Sequence, residues 1–406
     1  MTTSQDSPVR DADRIVHLDV IRGISVLGIL LMNIMSFGLT VYAYSNPSIL
    51  PEFDGVDLIA WMFANIFAEQ KFMTLFSLLY GAGMWLFCKR VAEKGHKPFR
   101  LFKRRSLWLM LFGLLHAYLI WYGDILFTYG ICGFLVFKAL KWRPRTQLVI
   151  GCLLLMVPIA FKAGIGFSVN FMTEEEVLEM KAGWEPPQEE LDAELEAFRG
   201  SWIEQIERRA LLAVFLQTAV VLIYSLWRAA GLMLIGMALM QLGLLSGQWS
   251  RGFYTKLALV GLSVGLLLGC YACYELVASD FAFPDAMTFT RNYIMLASLF
   301  MAAGYLGLIM LIPRGLFSDY MAAAGRMAFS NYLGQSLICT TIFYGHGFGW
   351  FGYLGHAQLM LVAVGVWVFQ LAFSKWWLTH YRFGPGEWAW RCLTYKTLQP
   401  IRRTQG

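Results

Sequence analysis

Charged residues are scarce in this chain, and that scarcity decides the class of protein. Only 15% of the 406 residues are Asp, Glu, Lys or Arg, whereas 58% are hydrophobic. A soluble protein of several domains carries more charge than this on its surface. The net charge of +6 comes from basic residues that cluster in a few loops. Such clusters indicate which loops lie on the cytoplasmic side of a membrane, and they do not indicate nucleic-acid binding. The composition therefore predicts a polytopic membrane protein with lipids as its surroundings.

Cysteine is also scarce, and its placement argues against the usual chemistry of cysteine. The seven cysteines lie in apolar or basic segments, so we expect no disulfide outside the membrane. Cys270 and Cys273 have a CxxC spacing, but they lie in an apolar helix, which favours packing over metal or redox chemistry. We predict no metal site and no tightly bound cofactor.

Long apolar runs are abundant, and they predict an all-α bundle of about ten transmembrane helices within one integral domain, residues 1–406. Residues 88–105 contain eight Lys or Arg against one Glu, and the chain from Lys375 onward contains six against one. Since basic loops stay on the cytoplasmic side, we expect both termini and the segment 380–406 to be cytoplasmic.

Two stretches are too long for one simple crossing. In the first, Glu69 and Lys71 interrupt an apolar run of more than thirty residues. We expect a short interfacial helix there, followed by a crossing that begins near Phe72. In the second, residues 208–246, the charge rule allows only one crossing, so we expect a preceding interfacial or re-entrant helix that ends near Trp227 and Arg228.

Residues 168–207 differ from the rest of the chain in composition. They contain 12 Asp or Glu against two Lys or Arg. Thr173 with Glu176 and Ser201 with Glu204 have the spacing of capping boxes, and Gly200 is suited to end a helix. We predict a small helical insert outside the cytoplasm, with a solvated acidic face as the simplest interpretation of its charge.

The stretch from Arg104 to Lys141 predicts a transmembrane hairpin that turns at Tyr122-Gly123-Asp124. Ionisable residues at membrane depth are costly and therefore suggest function, although local pairing, helix capping or packing would also explain them. Six polar residues are expected in the outer half of the bundle, where they could share one cavity: Asn33, Glu69, Lys71, His116, Asp124 and Arg228.

Several motifs together resemble the YeiB-like family of bacterial inner-membrane proteins, which is defined as a domain of unknown function. They include LDVIRG (18–23), FAEQKFMTLFSLLYGAG (67–83), GLLHAYLIWYGDILFTYGICG (113–133), WRAAGLMLIGMALMQLG (227–243), GRMAFSNYLGQS (325–336) and YRFGPGEWAWRCLTY (381–395). The resemblance covers most of the chain outside the insert. It implies a multi-pass protein of the bacterial inner membrane.

LDVIRG at the first span is also similar to the start of transmembrane acyltransferases of the heparan-α-glucosaminide N-acetyltransferase type. In that branch an Asn follows the Arg of the motif at the distance that separates Arg22 from Asn33. In the broader acyltransferase branch the position is a catalytic His. The resemblance implies transfer of an acyl group across the bilayer. This chain has Asn33 at the position of the catalytic His, and the chemistry of its side chain makes His116 a candidate to replace that base.

Two functions remain open. In the first, acyl-CoA is the donor, Arg22 and the loop 89–105 bind its phosphates, and the acceptor is an envelope glycan or lipid. His116 then acts as the base, and Asn33 or Arg228 stabilises the oxyanion. Asp124 is a further candidate catalytic residue, but its spacing from His116 does not by itself predict a hydrogen bond between them. In the second, the protein transports an envelope metabolite or lipid through proton-linked Glu69 and His116. A homo-oligomer is compatible with either.

At the cytoplasmic face, four charged residues lie near helix ends. They are Asp19 and Arg22 before the first span, and Glu387 and Arg391 in the C-terminal segment. We expect opposite charges to pair across the helix ends, so that the C-terminal segment docks beneath the first span.

Overall fold

The computed structural model describes residues 15–403, and it is helical throughout apart from one bridge pair between Tyr381 and Arg402. The helices in the first half are α1 Val16–Gly38, α2 Val41–Ser45, α3 Gly55–Phe67, α4 Lys71–Glu93, α5 Pro98–Leu119, α6 Leu126–Leu135, α7 Pro144–Ser168, α8 Glu174–Ala182 and α9 Gln188–Arg199. Those in the second half are α10 Gln205–Phe215, α11 Leu226–Gln241, α12 Arg251–Ala278, α13 Phe289–Leu311, α14 Leu316–Arg326, α15 Ala328–Phe343, α16 His356–His380 and α17 Pro385–Tyr395. The predicted all-α class is confirmed.

Within the described residues, seven helices or joined helices are long and apolar enough to cross a membrane. They are Val16–Gly38, Gly55–Glu93, Pro144–Phe171, Gln205–Gln241, Arg251–Ala278, Phe289–Leu311 and His356–His380. The other three predicted crossings correspond to α5, which begins with a basic stretch, and to α6 and α15, which are shorter. The count of ten therefore stays a prediction.

Helix α1 lies at the centre of the bundle, because other helices pack around most of its surface. Its partners include α4, α13, α14, α15 and α16. Gly23 allows close approach to α14, since a Cβ there would lie within 3.0 Å of the Gly325 nitrogen. Small residues at such crossings let helix backbones touch, which strengthens packing where the hydrophobic effect between helices is weak.

The two stretches that are too long for one simple crossing, around Glu69 and over residues 208–246, have different structures. Helix α3 ends and α4 begins on either side of residues 68–70, and Gln70 has a left-handed backbone with φ of 62°. This is the predicted break before Phe72. By contrast, α10 and α11 are joined by a π-helical segment, Leu216–Ser225, without a loop. The predicted helix end near Trp227 and Arg228 is therefore wrong, since the wider turn absorbs the extra residues within one continuous helix.

The acidic insert packs onto the bundle. Thr173 and Glu176 form the predicted reciprocal capping box at α8. Glu194 is fully buried, accepting a hydrogen bond from the Val41 amide at 2.8 Å and one from Arg208 at 3.2 Å. Phe198 is buried against Tyr122, whose ring centroid lies 6.0 Å away. A fully solvated face is thus too simple an interpretation, because one carboxylate and one aromatic ring anchor the insert.

The C-terminal helix α17 docks against α5 and α15. Trp390 donates its indole N–H to the Arg105 carbonyl at 2.9 Å, and the Arg105 guanidinium lies 3.5 Å from the Trp390 ring centroid. Glu387 accepts from the Phe329 amide at 2.7 Å, at the start of α15, whereas Arg22 pairs with Asp19 within its own helix at 2.8 Å. The expected pairing of Glu387 across the helix ends is wrong, because exposed backbone amides at a helix start satisfy its carboxylate.

Candidate active site

The helical hairpin of α5 and α6 brings His116 and Asp124 into contact. His116 lies in the last turn of α5, and the chain then reverses through residues 120–125. The His116 Nδ1 and Asp124 Oδ1 atoms are 3.0 Å apart, and both side chains are buried. The other carboxylate oxygen, Oδ2, accepts the Phe127 amide at 2.8 Å, so Asp124 also caps α6. One carboxylate thus contacts the imidazole and also accepts a hydrogen bond from the first turn of α6.

The second ring nitrogen of His116 contacts a residue that the sequence did not single out. His116 Nε2 is 2.8 Å from the Ser336 hydroxyl on α15, and Ser336 is buried. In a neutral imidazole, the nitrogen facing a carboxylate carries the proton, because an ionised carboxylate only accepts. Nε2 is then the basic nitrogen and faces the Ser336 hydroxyl, which can donate its proton to Nε2 or to the Tyr332 carbonyl 3.4 Å away. The order Ser336, His116, Asp124 is the arrangement that orients a general base.

Gly113 allows α5 and α6 to approach closely enough for this contact. A Cβ on Gly113 would lie 2.6 Å from Asp124 Oδ2 and would also collide with the Phe127 amide nitrogen. Since Gly113 is one helical turn before His116, any side chain there would push Asp124 away from the imidazole. The short distance between the two functional groups therefore depends on a glycine.

Aromatic residues enclose the imidazole. The Tyr332 ring centroid is 5.2 Å from that of His116, and the Tyr332 hydroxyl donates to the Gly123 carbonyl at 3.3 Å. The Trp121 ring centroid is 6.1 Å away, and its buried indole N–H has no hydrogen-bond partner among the described residues. A buried donor without a partner is costly, so a ligand oxygen is a natural partner for it.

Three other predicted residues form a separate cluster at the break between α3 and α4. Arg228 donates to the Gln70 carbonyl at 3.0 Å and to the Thr74 hydroxyl at 2.6 Å. Lys71 donates to the Asn65 carbonyl at 2.6 Å, and Glu69 accepts from Tyr44. Glu69 and Lys71, for which pairing was a strong alternative, bond to these neighbours instead of to each other.

The remaining predicted residues lie on α1. Asn33 is half-buried, one turn before Phe37, whose ring packs 4.1 Å from that of Trp121. Asn33 therefore shares a face of α1 with Phe37, which contacts Trp121 beside His116. Arg22 lies near the other end of α1 and pairs with Asp19. In residues 15–403, no group of three His, Cys, Asp or Glu side chains is placed to hold a metal ion.

The sequence missed Ser336, Arg291 and Lys162. Ser336 is one of many small polar residues in apolar spans, and its role depends on a contact with His116 that spans 220 positions. Arg291 and Lys162 are isolated cations within long apolar runs, and a cation at membrane depth was a usable signal. They lie near the Glu69 cluster: Arg291 donates to the Ser45 carbonyl, and Lys162 lies 4.8 Å from the Tyr224 ring centroid.

These features define a multi-pass α-helical membrane protein with a buried histidine held between a carboxylate and a hydroxyl. The family model described as "Protein of unknown function (DUF418)" matches residues 239–397. The chain is 32% identical to the uncharacterized protein YeiB of Escherichia coli (strain K12), with 96% of this chain and 98% of that protein covered. It is 29% identical to the uncharacterized protein YxaH of Bacillus subtilis (strain 168), with 98% of each covered. No solved structure matches. The chain belongs to the YeiB-like family.

Proposed function

We propose that this protein is a membrane acyltransferase that moves an acyl group from cytoplasmic acyl-CoA to a hydroxyl or amine of an envelope glycan or lipid. The observation that carries the proposal is the contact of His116 with both Asp124 and Ser336. A carboxylate that fixes the imidazole tautomer leaves Nε2 as the base, which is what acyl transfer to a hydroxyl requires.

In this reaction, the acceptor hydroxyl takes the place of the Ser336 hydroxyl at Nε2. His116 removes the acceptor proton as the acceptor oxygen forms a bond to the thioester carbonyl carbon. The carbon–sulfur bond then breaks, and the leaving thiolate takes the proton from the imidazolium. The spare indole N–H of Trp121, whose ring lies 6.1 Å from that of His116, and the amide of Asn33 are the candidates to stabilise the oxyanion.

Ser336 is assigned as a positioning residue for His116. It lies within the continuous helix α15, where backbone N–H groups are used in helical hydrogen bonds. A serine nucleophile needs free N–H donors beside it to stabilise the oxyanion, and a mid-helix position does not supply them. We therefore expect Ser336→Ala to reduce transfer less than His116→Ala does.

The donor side is assigned to the basic end of the bundle. Arg22 and the loop 89–105 carry the cations suited to CoA phosphates, and α17 lies against α5 there. Under this proposal, the donor binds at the cytoplasmic face and the acceptor binds at the opposite end, beneath the insert. The membrane is then the bacterial inner membrane, with both termini in the cytoplasm.

The test uses cells that carry each variant, with envelope acyl products measured by mass spectrometry and folded protein measured in purified membranes. His116→Ala and Asp124→Asn should lower product by about a hundredfold or more, the scale of a lost general base. His380→Ala, a change to the exposed histidine at the end of α16, is the matched control and should have no effect. Normal product with His116→Ala at normal protein level would refute the proposal.

Transport is the second candidate, and the broken helix at residues 68–70 favours it. Discontinuous helices with buried charges are typical of transporter binding sites. Under this alternative, Glu69→Gln and Arg228→Gln would abolish export of an envelope metabolite or lipid, while Ser336→Ala would leave export unchanged.

A further inference from the structure

The cluster at the break between α3 and α4 has an imbalance of charge that acyl transfer does not explain. Arg291 and Lys162 lie beside Glu69, Lys71 and Arg228, and we count all five residues as the cluster. It then contains four cationic side chains but only one carboxylate, that of Glu69, so its formal charge is three positive units. Lys71, Arg228, Arg291 and Glu69 are each at least nine-tenths buried, and Lys162 is half-buried. Buried cations are costly unless anions neutralise them.

The contacts of these cations are to neutral oxygens. Lys71 donates to one carbonyl, and since an ammonium has three donors, two remain. One Arg228 nitrogen, Nη2, donates to Gln70, Thr74 and Ser298, while the buried Nε has no partner. Among the described residues, Glu69 accepts from the Tyr44 hydroxyl at 3.0 Å and has no cation within 4.0 Å. The positive charge is therefore left without a protein counterion.

The groups of the cluster meet at the chain break, around Gln70 and its two neighbours Glu69 and Lys71. Tyr224 donates to the Gln70 side chain at 2.6 Å, and Lys162 lies over the Tyr224 ring. Arg228, four residues further along the same continuous helix as Tyr224, donates to the Gln70 carbonyl. Gln70 is also the N-cap of α4 without a side-chain cap bond, so the positive end of that helix faces the same place.

We propose that this cluster binds a phosphate monoester group. Such a group carries a charge close to minus two and three acceptor oxygens, which matches the excess cations and the spare donors of Arg228 and Lys71. The site is separate from the His116 contacts and does not depend on acyl transfer. Two sources share this chemistry, a lipid headgroup and a soluble phosphate ester.

The surroundings of Lys162 suggest the route. Lys162 is the least buried of the four cations, and the neighbouring Phe161 and Leu222 are exposed apolar residues. A ligand that enters between α7 and the π-helical segment therefore crosses an apolar surface, as a phospholipid in the bilayer would.

The test measures binding to the purified full-length protein by native mass spectrometry, with phosphatidic acid, diacylglycerol and glycerol 3-phosphate as probes. Lys162→Gln and Arg228→Gln each remove one cation, and the former has no hydrogen bond to lose, so it should fold normally. Arg145→Gln removes an exposed cation from the other end of α7 and is the matched control.

We expect phosphatidic acid to bind at least tenfold more tightly than diacylglycerol, and each cluster variant to weaken binding about tenfold, while Arg145→Gln does not. Binding of glycerol 3-phosphate alone, with the same dependence on Lys162 and Arg228, would support the site with a soluble ligand. Equal binding of diacylglycerol and phosphatidic acid, or equal losses with Arg145→Gln, would overturn the proposal.

Discussion

Replacing Gly113 with alanine tests whether the position of Asp124 matters for activity, because the substitution can displace the Asp124 carboxylate without changing any functional group of the histidine site. The added Cβ would lie 2.6 Å from Asp124 Oδ2, whereas ordinary contact begins at 3.4 Å. The carboxylate must therefore move by about 0.8 Å. His116 Nδ1 and Asp124 Oδ1 are now 3.0 Å apart. A shift of that size along the line between them would lengthen this distance to about 3.8 Å, which is too long for a hydrogen bond.

The expected cost follows from two effects. Overpacking at a close helix contact costs about 1 to 3 kcal/mol, and weakening the Asp124 cap of α6 costs about 0.5 to 2 kcal/mol. We expect Gly113→Ala to lower the free energy of unfolding by about 1.5 to 5 kcal/mol, measured by denaturant titration in mixed micelles. Acyl product should fall as far as it does with Asp124→Asn. A stable, fully active Gly113→Ala protein would show that the carboxylate does not hold the imidazole.

Three further predictions test the fold. Gly81→Ala should destabilise the protein by about 1 to 3 kcal/mol, because its Cβ would lie 2.6 Å from Met233 Cα. The Cβ of Gly83→Ala meets nothing within 4 Å, so this control should stabilise the protein by about 0.4 to 1 kcal/mol. Equal effects of the two substitutions in unfolding titrations would contradict the contact between α4 and α11. Burial raises the pKa of Glu194, so between its unfolded-state and folded-state pKa values the folded state keeps a proton that the unfolded state has lost; the stability that Glu194 contributes should therefore be fully present below the ordinary carboxyl pKa and be lost as pH rises through the folded-state value. The difference in thermal stability between the wild type and Glu194→Gln should follow this trend, and a difference that grows in favour of the wild type over the same rise would contradict it. Reporter fusions at Glu190 and after Gly406 should report opposite sides of the membrane, and an exterior signal from the C-terminal fusion would refute the single crossing between residues 205 and 241.

Local signals in the sequence predicted local structure well. The capping box of Thr173 and Glu176 depends on neighbours three positions apart, and the chain break before Phe72 follows from charges inside an apolar run. The all-α class follows from apolar runs alone. These inferences succeed because their physical causes lie within one or two helical turns of sequence.

The site depends on contacts that no local pattern contains. His116 and Asp124 are eight positions apart, and their hydrogen bond exists because the turn folds α6 back onto Gly113. Ser336 contacts the same imidazole from a helix that is distant in sequence. Glu387 accepts hydrogen bonds from backbone amides of α15 and does not pair with a cation in the described part of the chain. Which of several satisfactory partners a buried polar group takes is decided by helix packing, and packing is a property of the whole chain.

The most direct measurement is transfer of a labelled acetyl group by the purified protein in proteoliposomes. Labelled acetyl-CoA is supplied with an envelope extract as acceptor, and label in the glycan and lipid fractions is counted for the wild type, His116→Ala and Ser336→Ala. We expect transfer above empty vesicles for the wild type, loss to background with His116→Ala, and partial activity with Ser336→Ala. Wild-type transfer equal to that of empty vesicles, or equal transfer with His116→Ala, would contradict a catalytic role for the imidazole held by Asp124 and Ser336.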